Sequence, residues 1–307
     1  MKGTVIYMTK NAFITIVGRP NVGKSSLLNA LIGEKIAAVS SKPQTTRTKI
    51  TGVLTRGETQ YVFIDTPGMH RSRDKLSEHM INAINNSVSS VDCALLVVDA
   101  EKKPGEAEKT LLASLKASKV PVVLIINKID LFEDKEKLIP VIAEYSSIYD
   151  FKSVIPISAA NRDGLDIILE TVKDYASEGP HYFPDDKFTD QPERVIISEI
   201  IREKLLELLS AEVPHGIAVD VETVSEHDNK YGEGIMDIGA VIYCEKESHK
   251  GIVIGKGGAM LKRVGQLARE DLENFFMIKT NLQLWVKVKE GWRNREGLIK
   301  NFGLAND

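Results

Sequence analysis

The sequence predicts an α/β protein: a domain built on a mostly parallel sheet, followed by a smaller α+β domain. Three observations predict it. Through residue 176, short apolar runs of strand length alternate with helix-length segments that carry one apolar face. Residues 177–192 then interrupt the pattern with Pro180, Pro184 and Pro192, as an extended linker does. Beyond them the order becomes helix, strand, strand, helix, helix, strand, which is not a parallel-sheet repeat. The length agrees, since 307 residues make about two domains of roughly 150 each. The expected boundaries are 1–178, a linker over 179–192, and 193–307.

The first strand, Ala12–Val17, runs into Gly18-Arg19-Pro20-Asn21-Val22-Gly23-Lys24-Ser25, and Ser26–Ile32 has the spacing of a buried helix face ended by Gly33. A strand, a G-x-x-x-x-G-K-S turn and a helix form a phosphate-binding loop. Its glycines let backbone N–H groups point at a phosphate, and the helix N-terminus adds partial positive charge. Lys24 is expected at the β- and γ-phosphates, and the Ser25 hydroxyl on Mg²⁺. Ser40–Thr48 is polar and interrupted by Pro43, so it reads as an exposed loop whose threonines can lend a hydroxyl to the metal. Tyr61–Ile64 is a strand that delivers Asp65-Thr66-Pro67-Gly68. Asp65 is placed to anchor Mg²⁺, and the Gly68 N–H to approach the γ-phosphate.

A polar helical span is expected over 74–89, then a buried strand over Cys93–Asp99, a helix over 105–117, and a strand over Pro121–Ile126. The last delivers Asn127-Lys128-Ile129-Asp130. A carboxylate at Asp130 accepts from the ring N–H and exocyclic amine of guanine, whereas adenine presents a lone pair at the matching ring nitrogen. Asn127 is expected to tie the base-binding loops together, and the Lys128 stem to lie over the base. After a helix over 134–147, Ser153–Ile157 leads to Ser158-Ala159-Ala160, small residues whose N–H groups can reach the base oxygen. A helix over 164–176 ends the domain.

Composition sets outer limits. Hydrophobic residues make up 43% and charged residues 27%, an ordinary globular balance. A formal net charge of −3 gives no overall basic field, so any nucleic-acid surface must be local. Cys93 and Cys244 sit in apolar runs, which fits a reducing cytoplasm and not a disulfide scaffold. The histidines lack metal-ligand spacing. Met1–Lys10 has no apolar core of signal-peptide length, and no transmembrane run is expected; Met8 is an alternative start.

Residues 12–176 resemble a translation-factor-related P-loop GTPase domain, and Gly-Arg-Pro-Asn-Val-Gly-Lys-Ser, Gln-Thr-Thr-Arg and Asp-Thr-Pro-Gly resemble the Era family in particular. The resemblance implies GTP and GDP as ligands, held by Gly18, Asn21, Val22, Gly23, Lys24, Ser25, Ser26, Asp65, Gly68, Asn127, Lys128, Asp130, Ser158, Ala159 and Ala160. It implies Mg²⁺ on Ser25, Thr46 and Asp65, with Thr46 preferred over Thr45 because the metal-binding threonine of relatives precedes an arginine. Hydrolysis would rest on Lys24, Thr46 and Gly68. Met69 stands where Ras-like enzymes carry a water-orienting glutamine, so the water-positioning group is unidentified. Relatives with an asparagine at the position of Asn21 can bind K⁺ beside the phosphates.

The second domain begins with a helix over 194–210, then strands over 217–224 and 235–244 joined by a hairpin. Gly255-Lys256-Gly257-Gly258 opens a helix running to about Phe276, and Leu282–Lys289 is the last strand. This order and the G-x-x-G loop resemble a type II K-homology RNA-binding domain with a basic C-terminal extension. The loop admits a sugar-phosphate chain to the backbone, and Lys256 adds charge. Gly255, Lys256, Gly257, Gly258, Lys262, Arg263, Trp292 and Arg293 are the expected RNA contacts. Trp292 is expected to be exposed, and Trp285 reads equally as core or as a base platform.

The Era resemblance then covers nearly the whole chain. It implies small-subunit ribosomal RNA near its 3′ end and the small ribosomal subunit as partners, a monomer, and a cytoplasmic location with peripheral membrane association at the inner face. The rival reading is a tRNA-modification or membrane-trafficking GTPase whose second domain recruits a protein.

Overall fold

The computed structural model describes residues 9–40, 42, 45–68, 75, 76, 78–80, 91–210 and 213–304. Gln44, Met69, most of the helical span expected over 74–89, and Met1 and Met8 lie outside the described residues. The chain separates into two units. One comprises residues 1–36, 46–71 and 80–190; the other comprises 37–45, 72–79 and 191–307.

In the first unit the strands are β1 (Lys10–Val17), β2 (Ile50–Arg56), β3 (Thr59–Asp65), β4 (Cys93–Asp99), β5 (Val122–Asn127) and β6 (Ser153–Pro156). Their order is β2-β3-β1-β4-β5-β6, with β2 antiparallel to β3 and the remaining neighbours parallel. Parallel pairing gathers the C-terminal strand ends at one edge, where Ile16 lies opposite Asp65 and Asp99 opposite Asn127. Helices α1 (Lys24–Ile32), α2 (Glu106–Ser118), α3 (Leu138–Ile148) and α4 (Leu165–Lys173) connect them. Leu111, Leu112 and Leu115 of α2 and Leu138 and Tyr145 of α3 bury the strand residues Leu96, Val98, Leu124 and Ile126.

The strand β2 was not expected from the sequence. Its Gly52 breaks the apolar pattern, yet a Cβ there would lie 2.7 Å from Leu28 and 2.8 Å from Ile32, so the glycine is what lets α1 pack on the strand. The linker is docked on this unit. A two-residue strand β7 (Ser177–Glu178) pairs with β1, and Tyr182 packs edge-on against Phe13 with centroids 5.0 Å apart. The Gln60 carboxamide accepts from the Tyr182 and Phe183 N–H groups at 2.9 and 3.0 Å and donates to the Phe183 carbonyl at 2.9 Å.

The second unit holds α5 (Glu193–Leu208), β8 (Ile217–Asp228), β9 (Gly234–Cys244), α6 (Glu247–Ile254), α7 (Ala259–Phe276), β10 (Lys279–Val288) and α8 (Glu296–Asn301). Its sheet runs β10-β9-β8, antiparallel between β8 and β9 and parallel between β9 and β10. Ile197 and Ile201 of α5, Val264 and Leu272 of α7, and Ile238 and Ile242 of β9 share one core. The polar side of α5 is buried as well, and Val39, Lys42 and Thr45 bond to it. The Val39 N–H donates to Glu203 at 2.8 Å, Arg202 donates to the Thr45 carbonyl, and the Lys42 ammonium donates to the carbonyls of Leu206 and Leu209. Arg202 also pairs with Glu199, and Lys204 with Asp271 at 2.7 Å. The expected exposed loop over 40–48 is therefore corrected for its described residues: Lys42 and Thr45 bond polar groups of the α5 segment, and Thr46 and Arg47 are themselves buried.

Candidate functional site

The phosphate loop has the geometry its sequence demands. Gly18 has φ 151° and Gly23 φ 98°, and a Cβ at either would collide, at Gly18 with the Val97 carbonyl and at Gly23 with the Asn127 amide. Asn21 is also left-handed, at φ 64°. Helix α1 starts at Lys24, so its free N–H groups face the loop, with Ser26 half-buried in the first turn. Gly68 sits against the loop, where a Cβ would lie 2.8 Å from the Pro20 backbone.

Lys24, Ser25, Thr46 and Asp65 converge. Ser25 Oγ lies 2.7 Å from Thr46 Oγ1 and donates to Asp65 Oδ2 at 2.6 Å, and Thr46 Oγ1 lies 3.3 Å from the same carboxylate oxygen. The other oxygen, Asp65 Oδ1, is buried with no hydrogen-bond partner among the described residues. Burial pushes the Asp65 carboxyl above its usual range, against the pull of Lys24, Ser25 and Thr46. Burial likewise holds the Lys24 ammonium below its ordinary value, with Asp65 opposing. Lys24 Nζ donates only to the Arg19 carbonyl, at 3.0 Å, among the hydrogen bonds of the described residues. A buried cation and a buried carboxylate, both underprovided, fit an anionic phosphate and a hard divalent cation. Two hydroxyls and one carboxylate form the all-oxygen donor set that suits Mg²⁺, which keeps its remaining positions for water and phosphate oxygens.

The residues expected to read the base assemble at the same sheet edge. Asn127 Nδ2 donates to the Val22 carbonyl at 2.9 Å, and Asn127 Oδ1 accepts from the Ala159 N–H at 3.0 Å, so one amide ties the phosphate loop to the 158–160 turn. Ser158 Oγ donates to Asp130 Oδ1 at 2.5 Å and accepts from the Asn161 N–H, fixing an exposed carboxylate. Ala160 is exposed beside it. Lys128 takes a left-handed conformation, φ 70°, and its ammonium bonds Asp99 at 2.7 Å.

Two positioning features were not read from the sequence. Asp99 closes an apolar strand, and that acidic ending was its only signal. Arg19 is ion-paired to Glu108, which is 3% exposed and also accepts from the Gly105 N–H at 3.1 Å. Glu108 carried no signal, since a glutamate in a helix's first turn is commonplace.

In the second unit, Gly255, Gly257 and Gly258 all have positive φ, at 74°, 60° and 81°. A Cβ at Gly255 would strike Met260, whereas Gly257 and Gly258 face open space. The loop thus presents bare backbone, with exposed Lys256, at the start of α7. Beside it lies a groove of about 510 Å³, with Gly258, Lys262, Gln266 and Arg269 on the α7 side and Leu282 and Leu284 on β10. Arg263, one position on from Lys262, is exposed and bonds Gln266 at 3.4 Å.

The expectation for Trp292 is corrected. Its ring is fully buried, its Nε1 donates to the Gly216 carbonyl at 3.0 Å, and it packs edge-on against Phe302 at 5.6 Å. A buried indole cannot stack on a base. Arg293 is clamped by Glu245 at 2.7 and 3.0 Å, which neutralises its charge. Trp285 is the exposed tryptophan, 46% accessible, on the face of β10 that carries Lys279, Gln283 and Lys287.

Known proteins resemble this chain in the same two parts. Residues 13–128 match the family described as 50S ribosome-binding GTPase, and residues 212–293 match the KH domain. GTPase Era of Clostridioides difficile (strain 630) is 49% identical over 296 residues, covering 96% of this chain and 99% of that one. GTPase Era of Ruminiclostridium cellulolyticum is 49% identical over 298 residues, covering 97% and 98%. A crystal structure of a variant of Aquifex aeolicus Era bound to GDP and AlF4⁻ superposes with a TM-score of 0.92 at 35% identity, covering 97% of this chain and 100% of that one. A crystal structure of Era in complex with MgGDPNP and nucleotides 1506–1542 of 16S ribosomal RNA gives 0.93 at 35% identity with the same coverage. A phosphate loop, a guanine-type recognition tetrapeptide and a G-x-x-G domain in this order, with identity of this level from end to end, establish that the chain belongs to the Era family of GTPases.

Proposed function

We propose that this chain is a GTP-hydrolysing switch that binds small-subunit ribosomal RNA near its 3′ end and assists assembly of the small ribosomal subunit. The observation that carries this reading is the presence, in one Era-family chain, of the Ser25–Thr46–Asp65 cluster beside the phosphate loop and of the open G-x-x-G loop beside a cationic groove. The relative solved with 16S ribosomal RNA supports the identity of the RNA. Lys24 and the loop N–H groups hold the phosphates, Asp130 reads guanine, and Thr46 and Gly68 respond to the γ-phosphate. Mg²⁺ on Ser25 and Thr46, anchored by Asp65, supplies charge neutralisation at the phosphates. Lys256, Gly257 and Gly258 take the RNA backbone, with Lys262 in the adjoining groove. The purified protein is expected to hydrolyse GTP and not ATP, and to carry nuclease-sensitive RNA; a protein partner in place of RNA would favour a trafficking role.

The finer readings extend this proposal. Asn21 lies in the phosphate loop, and its residue type is the one with which relatives can bind K⁺ beside the phosphates. Such a cation would supply the charge stabilisation that an arginine finger supplies elsewhere. Hydrolysis is then faster in K⁺ than in Na⁺, and Asn21→Ala removes the difference; equal single-turnover rates in the two salts for the native protein would argue against the site. The protein acts as a cytoplasmic monomer, and any membrane association is peripheral. No described helix is long and apolar enough to cross a membrane.

A further inference from the structure

We propose that Asp99 is a positioning residue of the guanine pocket: its carboxylate holds the Lys128 ammonium, so that the lysine stem is set as a wall of the pocket before nucleotide arrives. Asp99 ends β4 directly opposite Asn127 of β5, and the Ala100 N–H donates to the Asn127 carbonyl at 3.0 Å, so both strand ends are fixed to each other. The side chain is 2% exposed. Its Oδ2 accepts from Lys128 Nζ at 2.7 Å, and its Oδ1 accepts from the Glu101 N–H at 3.1 Å. Lys102 stands farther off, at 3.6 Å, on a side chain that is 53% exposed.

Three physical points favour a role in binding. A lone acid at the end of an otherwise apolar strand is costly, and an apolar residue would serve the core with less penalty. The desolvation that raises a buried carboxyl is overcome here, and the hydrogen bond from Lys128 keeps Asp99 below the usual carboxylate range. Lysine is also among the side chains with most rotamer freedom to lose. An ion pair that orders its stem beforehand removes that loss from the binding step.

The inference rests on the reading that Lys128 covers the base. A double-mutant cycle on the full chain, with fluorescent GDP and a fluorescent GTP analogue as probes, tests it. Asp99→Asn keeps the volume and the bond to the Glu101 N–H but removes the charge. It is expected to weaken both nucleotides about tenfold, raising KM while kcat moves by less than about twofold. In a Lys128→Met background the same change is expected to cost less than about twofold.

Undiminished affinity in Lys128→Met would overturn the Lys128 reading itself. A weakened Lys128→Met alongside an unaffected Asp99→Asn would overturn the role of Asp99 alone. An equal tenfold loss in both backgrounds would show that Asp99 acts through something other than Lys128, and so would a tenfold loss in Lys102→Ala. Should Asp99→Asn fail to fold, Asp99→Ser enters the same cycle.

Discussion

Asp130→Asn is expected to lower GTP affinity by at least about a hundredfold and to create affinity for XTP. The carboxylate accepts from two guanine donors, and a carboxamide turns one of those acceptors into a donor facing a donor. Each buried polar group left unpaired costs about 1–3 kcal/mol, and this one clash leaves two donors unpaired, which together reach that loss. Xanthine replaces the exocyclic amine with a carbonyl, which the new amide satisfies. The geometry favours a clean exchange, because Asp130 is an exposed residue fixed by Ser158 at 2.5 Å and not a packed one. Competition of GTP, XTP and ATP against a fluorescent guanine nucleotide reads the change. Equal affinities for ATP and GTP in the native protein would contradict guanine recognition.

The double substitution Lys256→Asp, Gly257→Asp is expected to abolish RNA binding and leave GTP hydrolysis without RNA intact. It sets two carboxylates where a phosphate is taken and adds bulk where backbone must approach the RNA. Each lost phosphate contact flattens the salt dependence by about 0.7 for single strands. Folding should persist. A side chain at Gly257 meets nothing within 4 Å, aspartate is among the residues that tolerate its φ of 60°, and Gly255 and Gly258 keep the turn. RNA titrations at several salt concentrations read the loss. Full RNA affinity in a folded variant would move the RNA site off the loop, toward the groove cations Lys262 and Arg269. It would not move it to Trp292 and Arg293, since one is buried and the other is paired.

Much of the nucleotide site was legible because its chemistry is local in sequence. Gly18 through Ser25 is one turn between a strand and a helix, and Asn127 through Asp130 is one strand end. What sequence reading missed depends on distant partners. Trp292 stands between Gly291 and Arg293 and reads as exposed, yet its burial is decided by the Gly216 carbonyl, 76 residues away, and by Phe302. Gly52 hid a strand because the reason for the glycine lies in Leu28 and Ile32 of a helix. The 40–48 loop looked polar and free because the partners of Lys42 and Thr45, the carbonyls of Leu206 and Leu209 and the Arg202 guanidinium, lie about 160 residues on. Asp99 and Glu108 are acids whose partners, Lys128 and Arg19, come from other segments, and no spacing rule joins them.

In a GTP-hydrolysing switch, nucleotide state is expected to govern RNA binding, and one measurement tests this directly. The affinity of the full chain for an RNA spanning the 3′ end of small-subunit ribosomal RNA is measured with a non-hydrolysable GTP analogue and again with GDP, both with Mg²⁺. A switch predicts tighter binding in one state by about fivefold or more, and reciprocity requires that RNA change the analogue's affinity relative to GDP by the same factor. Equal RNA affinities in the two states would contradict the account, leaving a GTPase and an RNA-binding domain that share a chain without acting on each other.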